Sequence, residues 1–426
     1  MQIYLVGGAV RDELLGLPVK DRDWVVVGAS PEQMIERGYQ QVGKDFPVFI
    51  HPQTGEEYAL ARTERKSGQG YAGFSVYAAP DVSLQEDLKR RDLTINAMAL
   101  DKDRQLIDPY DGKKDLDSRV LRHVSAAFSE DPLRLLRLAR FYARFRSFGF
   151  TIASDTEKLL TDIVGSGELH ALVPERIWQE MQRALEEDHP QAFFETLLST
   201  GALAALIPEL VEALKLSTSS VLSVSTDDDK QHTQNRQNKQ SLSLAALAHS
   251  AADGADLETR WAVLLHNLKC LSPSLEKPPN HDKNGRPALD CIDRVCERFK
   301  CPNSFTITAR QVCMLSDQMD KITSFGAEDM VHLFESLDAL RRPIQLERFS
   351  KALESILSAQ GTANSGISEH LANCFNAYSG IDAKTVSKQA IAAHKQSASA
   401  HPGDTISQAI RKARTLSVAA ALNLRG

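Results

Sequence analysis

The chain has no apolar stretch of the length that a membrane span requires. Its apolar runs fall well short of the roughly 18–20 residues of a bilayer-crossing helix. The first residues, MQIYLVGGAVRD, also lack the basic segment and the long apolar segment of a secretory signal. We therefore expect neither a membrane protein nor a secreted one, and we predict a cytoplasmic location.

Cysteine pairs of the zinc-binding or disulfide type are also missing. The 6 cysteines all lie in the second half, and no two form a C-x-x-C pair. This usage fits a reducing compartment. Positive charge is also not in excess, because the net charge is −6. A nucleic-acid partner would therefore have to be held by a local basic patch.

The 426 residues, of which 42% are hydrophobic, are enough to build two to four domains with buried cores. Short apolar strands alternate with turns near the start, and helical periodicity takes over from Asp131 onward. We predict an α+β head, a small mixed or antiparallel sheet with helices, followed by a long all-α body. The predicted segments are a head at 1–125, a helical neck at 126–215, a polar linker or loop at 216–245, a helical body at 246–380 and a basic helical tail at 381–426.

Local signals inside the head are specific. The pattern predicts strands at 3–6 and 23–27, and a hairpin of 46–50 with 57–61 around Pro-Gln-Thr-Gly. A capping box at Ser83 predicts the start of a helix. The glycine-containing segment 67–79 is predicted to be a mobile loop.

A diglycine and two aspartates stand out in this head. Gly7-Gly8 follows a strand and precedes a helix, so backbone amides there can approach phosphate oxygens, with Arg11 one turn further on. Asp21 and Asp23 lie two residues apart at the start of a strand, so both carboxylates point to one face and can bind divalent cations. Each motif alone is commonly structural. Their order along the chain favours a joint site.

Four segments, GGAVRDELLG, DRDWVVVG, DLKRRDLTINA and EDPLRLLRLARF, occur in this order within about residues 1–215. Together they resemble the bacterial class II CCA-adding enzymes, tRNA nucleotidyltransferases of the polymerase-β-like superfamily. The resemblance implies template-independent addition and repair of the 3′-terminal CCA of tRNA from CTP and ATP. In that reaction the RNA 3′-hydroxyl attacks the α-phosphate, with two Mg²⁺ ions, and pyrophosphate leaves. The implied partner is the tRNA acceptor end, and the oligomeric state is not indicated.

The resemblance also implies roles for individual residues. Asp21 and Asp23 would be catalytic and hold Mg²⁺, while Gly8 and Arg11 would contact the nucleotide. Arg91 would contact its ribose and phosphates, although an Arg-Arg-Asp segment alone is more often a solvated helix end. Glu57 is either a third metal carboxylate or a surface acid of the hairpin.

Base choice is implied for the helix that opens after Asp131. The Asp131 carboxylate would accept from the exocyclic amine of cytosine or adenine, and the Arg134 guanidinium would donate to the neighbouring ring nitrogen. GTP and UTP present a carbonyl instead of the amine, which leaves buried groups unpaired. Arg137 and Arg140 would contact the nucleotide too. A capped helix with a basic stripe is the plainer alternative.

Some members of this family carry an appended His-Asp phosphohydrolase domain. In register with its motif, this chain has His266-Asn267, and an amide is a poor anchor for a divalent cation. His232 is the only histidine in the upstream polar stretch, and His281-Asp282 lies in a Pro/Asn-rich loop. We therefore predict that this hydrolase activity is lost.

Two other functions remain open at this level. A bacterial poly(A) polymerase on the same fold would use ATP alone, although segment 42–47 favours the CCA-adding type. An RNA-binding protein with a vestigial head is the second alternative. The segment from Ile381 carries seven Lys or Arg against two Asp. It is either a contact for the tRNA backbone or a solvated helix face.

Overall fold

The computed structural model describes residues 1–42, 48–66, 74–219, 241–268, 290–362, 366–394 and 402–423. The chain divides into two compact units, Met1–Pro208 and Glu209–Gly426. Several sequence features lie outside the described residues: 43–47, 67–73, 220–240, His232 and His281-Asp282.

The first unit contains a mixed sheet of seven strands in the order β3-β4-β5-β2-β1-β8-β9. Within that sheet β2 and β5 run parallel, and the other neighbouring pairs are antiparallel. Two smaller pairs, β6 with β7 and β10 with β11, lie beside it. The strands are β1 Gln2–Val6, β2 Asp23–Val27, β3 Gln40–Val42, β4 Val48–Ile50, β5 Glu57–Leu60, β6 Thr63–Lys66, β7 Phe74–Tyr77, β8 Ala99–Leu100, β9 Leu106–Ile107, β10 Val120–Leu121 and β11 Thr151–Ile152.

The described part of this unit also contains α-helices. They are α1 Gly8–Leu14, α2 Pro31–Glu36, α3 Leu84–Lys89, α4 Gly112–Asp117, α5 Leu133–Phe145, α6 Ser154–Gly165, α7 Pro174–Glu186, α8 Pro190–Ser199 and α9 Ala202–Leu206. Adjacent residues of β2 face opposite sides of the sheet. Val25 therefore packs with Leu88 of α3 in one core cluster, and Val26 packs with Met34 of α2 in another.

Most local predictions for this unit are confirmed. The strands at β1 and β2 and the β4–β5 hairpin form as expected, and Ser83 makes both hydrogen bonds of its capping box. The predicted loop at 67–79 is wrong in part, because β7 pairs antiparallel with β6. The Phe-Ser-Val-Tyr sequence of β7 has the aromatic and β-branched content that favours a strand.

The second unit is helical throughout its described residues. Its helices are α10 Pro208–Ser219, α11 Leu242–Ala252, α12 Leu257–Leu265, α13 Asp290–Phe299, α14 Asn303–Leu315, α15 Ala327–Ser336, α16 Pro343–Ala359, α17 Ile367–Ser379, α18 Ala383–His394 and α19 Pro402–Asn423. The helices α10 and α11 extend into both ends of the predicted linker. In the described part of the chain, no helix is long and apolar enough to cross a membrane. The predicted fold class, an α+β head followed by an all-α body, is confirmed.

Candidate active site

A cleft of about 640 Å³ opens in the first unit, and all nine predicted site residues line it. Its walls come from the turn between β1 and α1, the start of β2, the segment after α3, and the helices α5 and α7. The basic lining residues are Arg11, Lys20, Arg90, Arg91, Arg134, Arg137, Arg140, Arg144, Arg176 and Arg183, against Asp12, Asp21, Asp23, Asp92 and Asp131. Ten basic against five acidic side chains give the local positive excess that a polyphosphate requires.

The turn at Gly7 brings backbone close to an arginine. Gly7 has φ 71° and ψ −133°, and its N–H donates to the carbonyl of Met98 at 3.3 Å. A Cβ added at Gly7 would lie 2.9 Å from Nη1 of Arg91. The Arg91 guanidinium therefore lies directly against the turn, and only glycine leaves it room.

Arg11 forms part of the wall of this cleft. Its side chain is buried and donates from Nε to Asp12 at 2.8 Å and from Nη1 to Asn96 at 2.5 Å. The guanidinium carbon lies 5.2 Å from the ring centroid of Phe141 and 5.1 Å from that of Phe145. Burial lowers the pKa of Arg11. Its partners fix its orientation within the protein.

Asp23 is the first residue of β2, Asp21 lies two residues before it, and both line the cleft. Desolvation raises the pKa of Asp23; the charge of Arg91 opposes this, and the neighbouring charge of Asp21 adds to it. Two adjacent carboxylates facing a cleft are a donor set that suits Mg²⁺, which takes one or two carboxylates and completes its shell with phosphate oxygens and water. The residues present therefore fit a Mg²⁺ ion.

Glu57 lies beside Asp23 in the parallel register of β2 and β5 but does not line the cleft. Among the described residues, no group of three or more His, Cys, Asp or Glu side chains could hold a metal ion. A third carboxylate at Glu57 stays a prediction.

Asp131 lies at the start of α5. Its Oδ1 accepts the N–H of Leu133 at 3.1 Å, and its Oδ2 lies 3.4 Å from Nη2 of Arg176. One carboxylate oxygen therefore serves the helix start, and the other is oriented by a cation within the cleft. Arg176 belongs to α7, so this ion pair joins α7 to the start of α5.

Arg134 is fixed by backbone carbonyls. Nη1 donates to the carbonyl of Ala127 at 2.9 Å, and Nη2 donates to that of Arg90 at 2.6 Å. These two bonds hold the guanidinium at the cleft wall, on the same side of the helix start as Asp131.

Arg137 and Arg140 are held by buried carboxylates. Arg137 donates from Nε to Asp92 at 2.9 Å, and this ion pair raises the pKa of Arg137. Arg140 donates from Nε to Glu180 of α7 at 2.7 Å. Desolvation of Asp92 is outweighed by Arg137 and by hydrogen bonds, so the pKa of that carboxyl lies well below its usual value.

Some lining residues were missed by sequence reasoning. Arg144 continues the spacing of Arg137 and Arg140 along α5, so the helical period could have identified it. Lys20 and Arg183 belong to no motif, and only the folded chain places them in the cleft.

Replacing Gly7 tests the close approach of Arg91 to the turn. We expect Gly7→Ala to cost about 1–3 kcal/mol of stability, because an L-residue is strained at this φ and ψ. We also expect kcat/KM of the reaction in this cleft to fall by about 10²-fold, since the new methyl group displaces Arg91. Gly16→Ala is the matched control, because Gly16 has φ 70° and open space around it. Equal activity of the two variants would contradict the contact.

The histidine of the second unit that aligns with the hydrolase motif is buried. His266 is 2% exposed, and its Nδ1 lies 2.7 Å from the carbonyl oxygen of Val263. Desolvation lowers its pKa to about 4. The imidazole ring is therefore uncharged at neutral pH, and it is buried within the second unit.

Family models and relatives identify this architecture. The Poly A polymerase head domain matches residues 3–122, and the probable RNA and SrmB-binding site of polymerase A matches residues 149–214. The chain is 51% identical over 358 residues to a Multifunctional CCA protein of Alkalilimnicola ehrlichii, covering 83% of each chain.

Solved structures show the same fold. The Bacillus stearothermophilus CCA-adding enzyme in complex with CTP is 25% identical, with a TM-score of 0.63, over 99% of this chain and 89% of that one. The Thermotoga maritima CCA-adding enzyme complexed with tRNA is 22% identical, with a TM-score of 0.55, over 89% and 78%. By its identity to a curated relative and its coverage of that relative, the chain belongs to the family of CCA-adding nucleotidyltransferases.

Proposed function

We propose that this protein is a nucleotidyltransferase that adds and repairs the 3′-terminal CCA of tRNA, using CTP and ATP, in the cytoplasm. The observation that carries the proposal is one cleft lined by the carboxylate pair, the arginine at the glycine turn and the Asp131–Arg134 pair. The relatives named for CCA addition support it.

The groups that would bind the phosphates of the nucleotide are Asp21, Asp23, Arg91 and the Gly7-Gly8 turn. Asp21 and Asp23 would hold Mg²⁺, which neutralises triphosphate charge and lowers the pKa of the attacking hydroxyl. Gly8 leaves the backbone open to the phosphates, and Arg91 supplies forked donors to their oxygens. The protein contributes positioning and charge stabilisation, so no covalent enzyme intermediate is needed.

The residues that would recognise the base of the nucleotide are Asp131 and Arg134. The Asp131 side chain accepts from the exocyclic amine that cytosine and adenine share, and Arg134 donates to the adjacent ring nitrogen. A carbonyl at that position faces the carboxylate with no hydrogen to share, which costs about 1–3 kcal/mol. Arg137 and Arg140, fixed by Asp92 and Glu180, add positive charge beside the nucleotide.

We assign the acceptor end of tRNA as the RNA partner. Lys384, Lys388 and Lys412 are exposed on α18 and α19, and such side chains can contact phosphates without reading sequence. Two other basic residues of this tail contact the helical body. Arg411 pairs with Glu335 at 3.4 Å, and Arg414 lies 4.8 Å from the ring centroid of Tyr378.

Extension of a tRNA transcript that lacks its 3′ CCA tests the function at single-nucleotide resolution. We expect two additions with CTP alone and one further addition when ATP is supplied. Long tails from ATP alone would assign the chain to the poly(A) polymerases. Absence of extension with Mg²⁺ present would leave only RNA binding.

We propose that the second unit has lost the hydrolase chemistry that the family resemblance implies for an appended His-Asp domain. We expect no phosphatase or phosphodiesterase activity that depends on His266, because its ring is buried and its neighbour is Asn267. His266→Gln should therefore leave hydrolysis of p-nitrophenyl phosphate, with Mn²⁺, Ni²⁺ or Mg²⁺ present, at the background of the wild type. A metal-dependent activity that disappears in this variant would overturn the proposal.

A further inference from the structure

A fully buried carboxylate lies behind the cleft, at Asp87 in α3. Its side chain is 0% exposed and does not line the cleft itself. Oδ1 accepts from Arg90 at 3.1 Å to Nε and 3.0 Å to Nη2, and Oδ2 accepts from Nη2 of Arg91 at 3.2 Å. Each oxygen therefore fixes one of two consecutive arginines that line the cleft.

The same carboxylate is tied to backbone. Oδ1 also accepts the N–H of Arg62, which follows β5, at 3.3 Å. Desolvation favours the neutral acid, but Arg90 and Arg91 outweigh it and lower the pKa of Asp87 below its ordinary value. Asp87 is thus an ionised group with a fixed position between the sheet and the cleft.

The Nε of Arg91 is buried and has no hydrogen-bond partner among the described residues. A buried unpaired donor is costly. The same guanidinium lies against Gly7 and close enough to Asp23 to lower the pKa of that carboxyl. An oxygen of a bound polyphosphate is the acceptor that this position suits, since arginine binds phosphate through paired N–H groups.

We propose that Asp87 is a positioning residue that holds Arg91 against the Gly7-Gly8 turn, so that Arg91 receives the polyphosphate of CTP or ATP. This rests on the proposed function, since it takes CTP and ATP as the ligands. Asp87 acts through Arg91 and touches no part of the nucleotide. Its effect should therefore be the same for both nucleotides and should leave the choice of base unchanged.

A double-mutant cycle on nucleotide binding separates this role from a purely structural one. Dissociation constants for CTP and for ATP are measured by equilibrium dialysis on the full chain, with Mg²⁺ and without RNA. The four proteins are wild type, Asp87→Asn, Arg91→Ala and the double variant. We expect Asp87→Asn to weaken both nucleotides by about tenfold, the effect of one charged hydrogen bond. In the Arg91→Ala background it should add less than about twofold.

Asp115→Asn is the matched control. Asp115 is another buried carboxylate of this unit, 7% exposed, that accepts from Arg122 and Thr94 and lies outside the cleft lining. It should lose thermal stability and keep its affinity for nucleotide. If Asp87→Asn does not fold, the cycle is run with Asp87→Glu, which keeps the charge and shifts the carboxylate by one methylene group.

The proposal is overturned if Asp87→Asn weakens binding by the same factor with and without Arg91, if it affects CTP and ATP unequally, or if it has no effect. Extension of tRNA lacking CCA is measured on the same wild-type sample. Extension without coupling rejects the role of Asp87 alone, and coupling without extension rejects the proposed function alone. Wild type that binds neither nucleotide rejects both.

Discussion

Asp23→Asn is expected to slow CCA addition by about 10³-fold while leaving the fold intact. Metal held by Asp21 and Asp23 would stabilise the charge of the transition state by several kcal/mol. Losing about 4 kcal/mol of this stabilisation corresponds to a ~10³-fold lower rate. Without a cation, the charge of Asp23 is unfavourable, because desolvation and Asp21 both raise its pKa. The melting temperature of the variant should therefore equal or exceed that of the wild type in metal-free buffer.

Metal addition supplies a readout that does not depend on activity. Mg²⁺ should raise the melting temperature of the wild type, because a ligand of the folded state stabilises it, and should not raise that of Asp23→Asn. Glu57→Gln is the comparison variant, since Glu57 lies beside Asp23 in the register of the sheet but outside the cleft lining. If Glu57→Gln loses as much of the Mg²⁺-induced rise in melting temperature as Asp23→Asn does, Glu57 belongs to the metal site.

Asp131→Asn is expected to alter which nucleotides are used. The amide oxygen can still accept the N–H of Leu133, but the amide nitrogen replaces the oxygen that faces Arg176. The exocyclic amine of cytosine or adenine then meets a donor in place of an acceptor. We expect CTP and ATP addition to fall by about 10–200-fold, and UTP and GTP use to rise relative to them.

Asp108→Asn controls for the loss of a helix-start carboxylate. Asp108 accepts the N–H groups of Gly112 and Lys113 at 2.7 and 2.8 Å, outside the cleft. That variant should lose stability and keep the preference for CTP and ATP. An unchanged preference in Asp131→Asn, measured by primer extension with all four nucleotides, would remove Asp131 from base selection.

The sequence was sufficient to predict the parts of the fold that depend on local signals. The apolar strand that follows Asp23, the Pro-Gln-Thr-Gly turn and the Ser83 capping box are each encoded within a few residues, and the structure contains all three. The strand at 74–77 was not predicted, because the glycines that precede it favour a loop. Its formation depends on pairing with residues 63–66, which is a tertiary interaction.

The cleft residues could be named from motifs, but their partners could not. Asp92 and Arg137 are 45 residues apart, and Arg140 and Glu180 are 40 apart. No local spacing reports such pairs. Likewise, Asp87 appears in the sequence as an ordinary helix-surface acid near two arginines. Its complete burial and its hydrogen bond from Arg91 are visible only in the folded chain.

We propose that protein side chains select the base, without a nucleic-acid template. Equilibrium binding of CTP, ATP, UTP and GTP to the full chain, with Mg²⁺ and no RNA, tests this selection. We expect CTP and ATP to bind at least about tenfold more tightly than UTP and GTP, the effect of one unpaired buried group. Equal affinity for all four nucleotides would show that these side chains do not select the base.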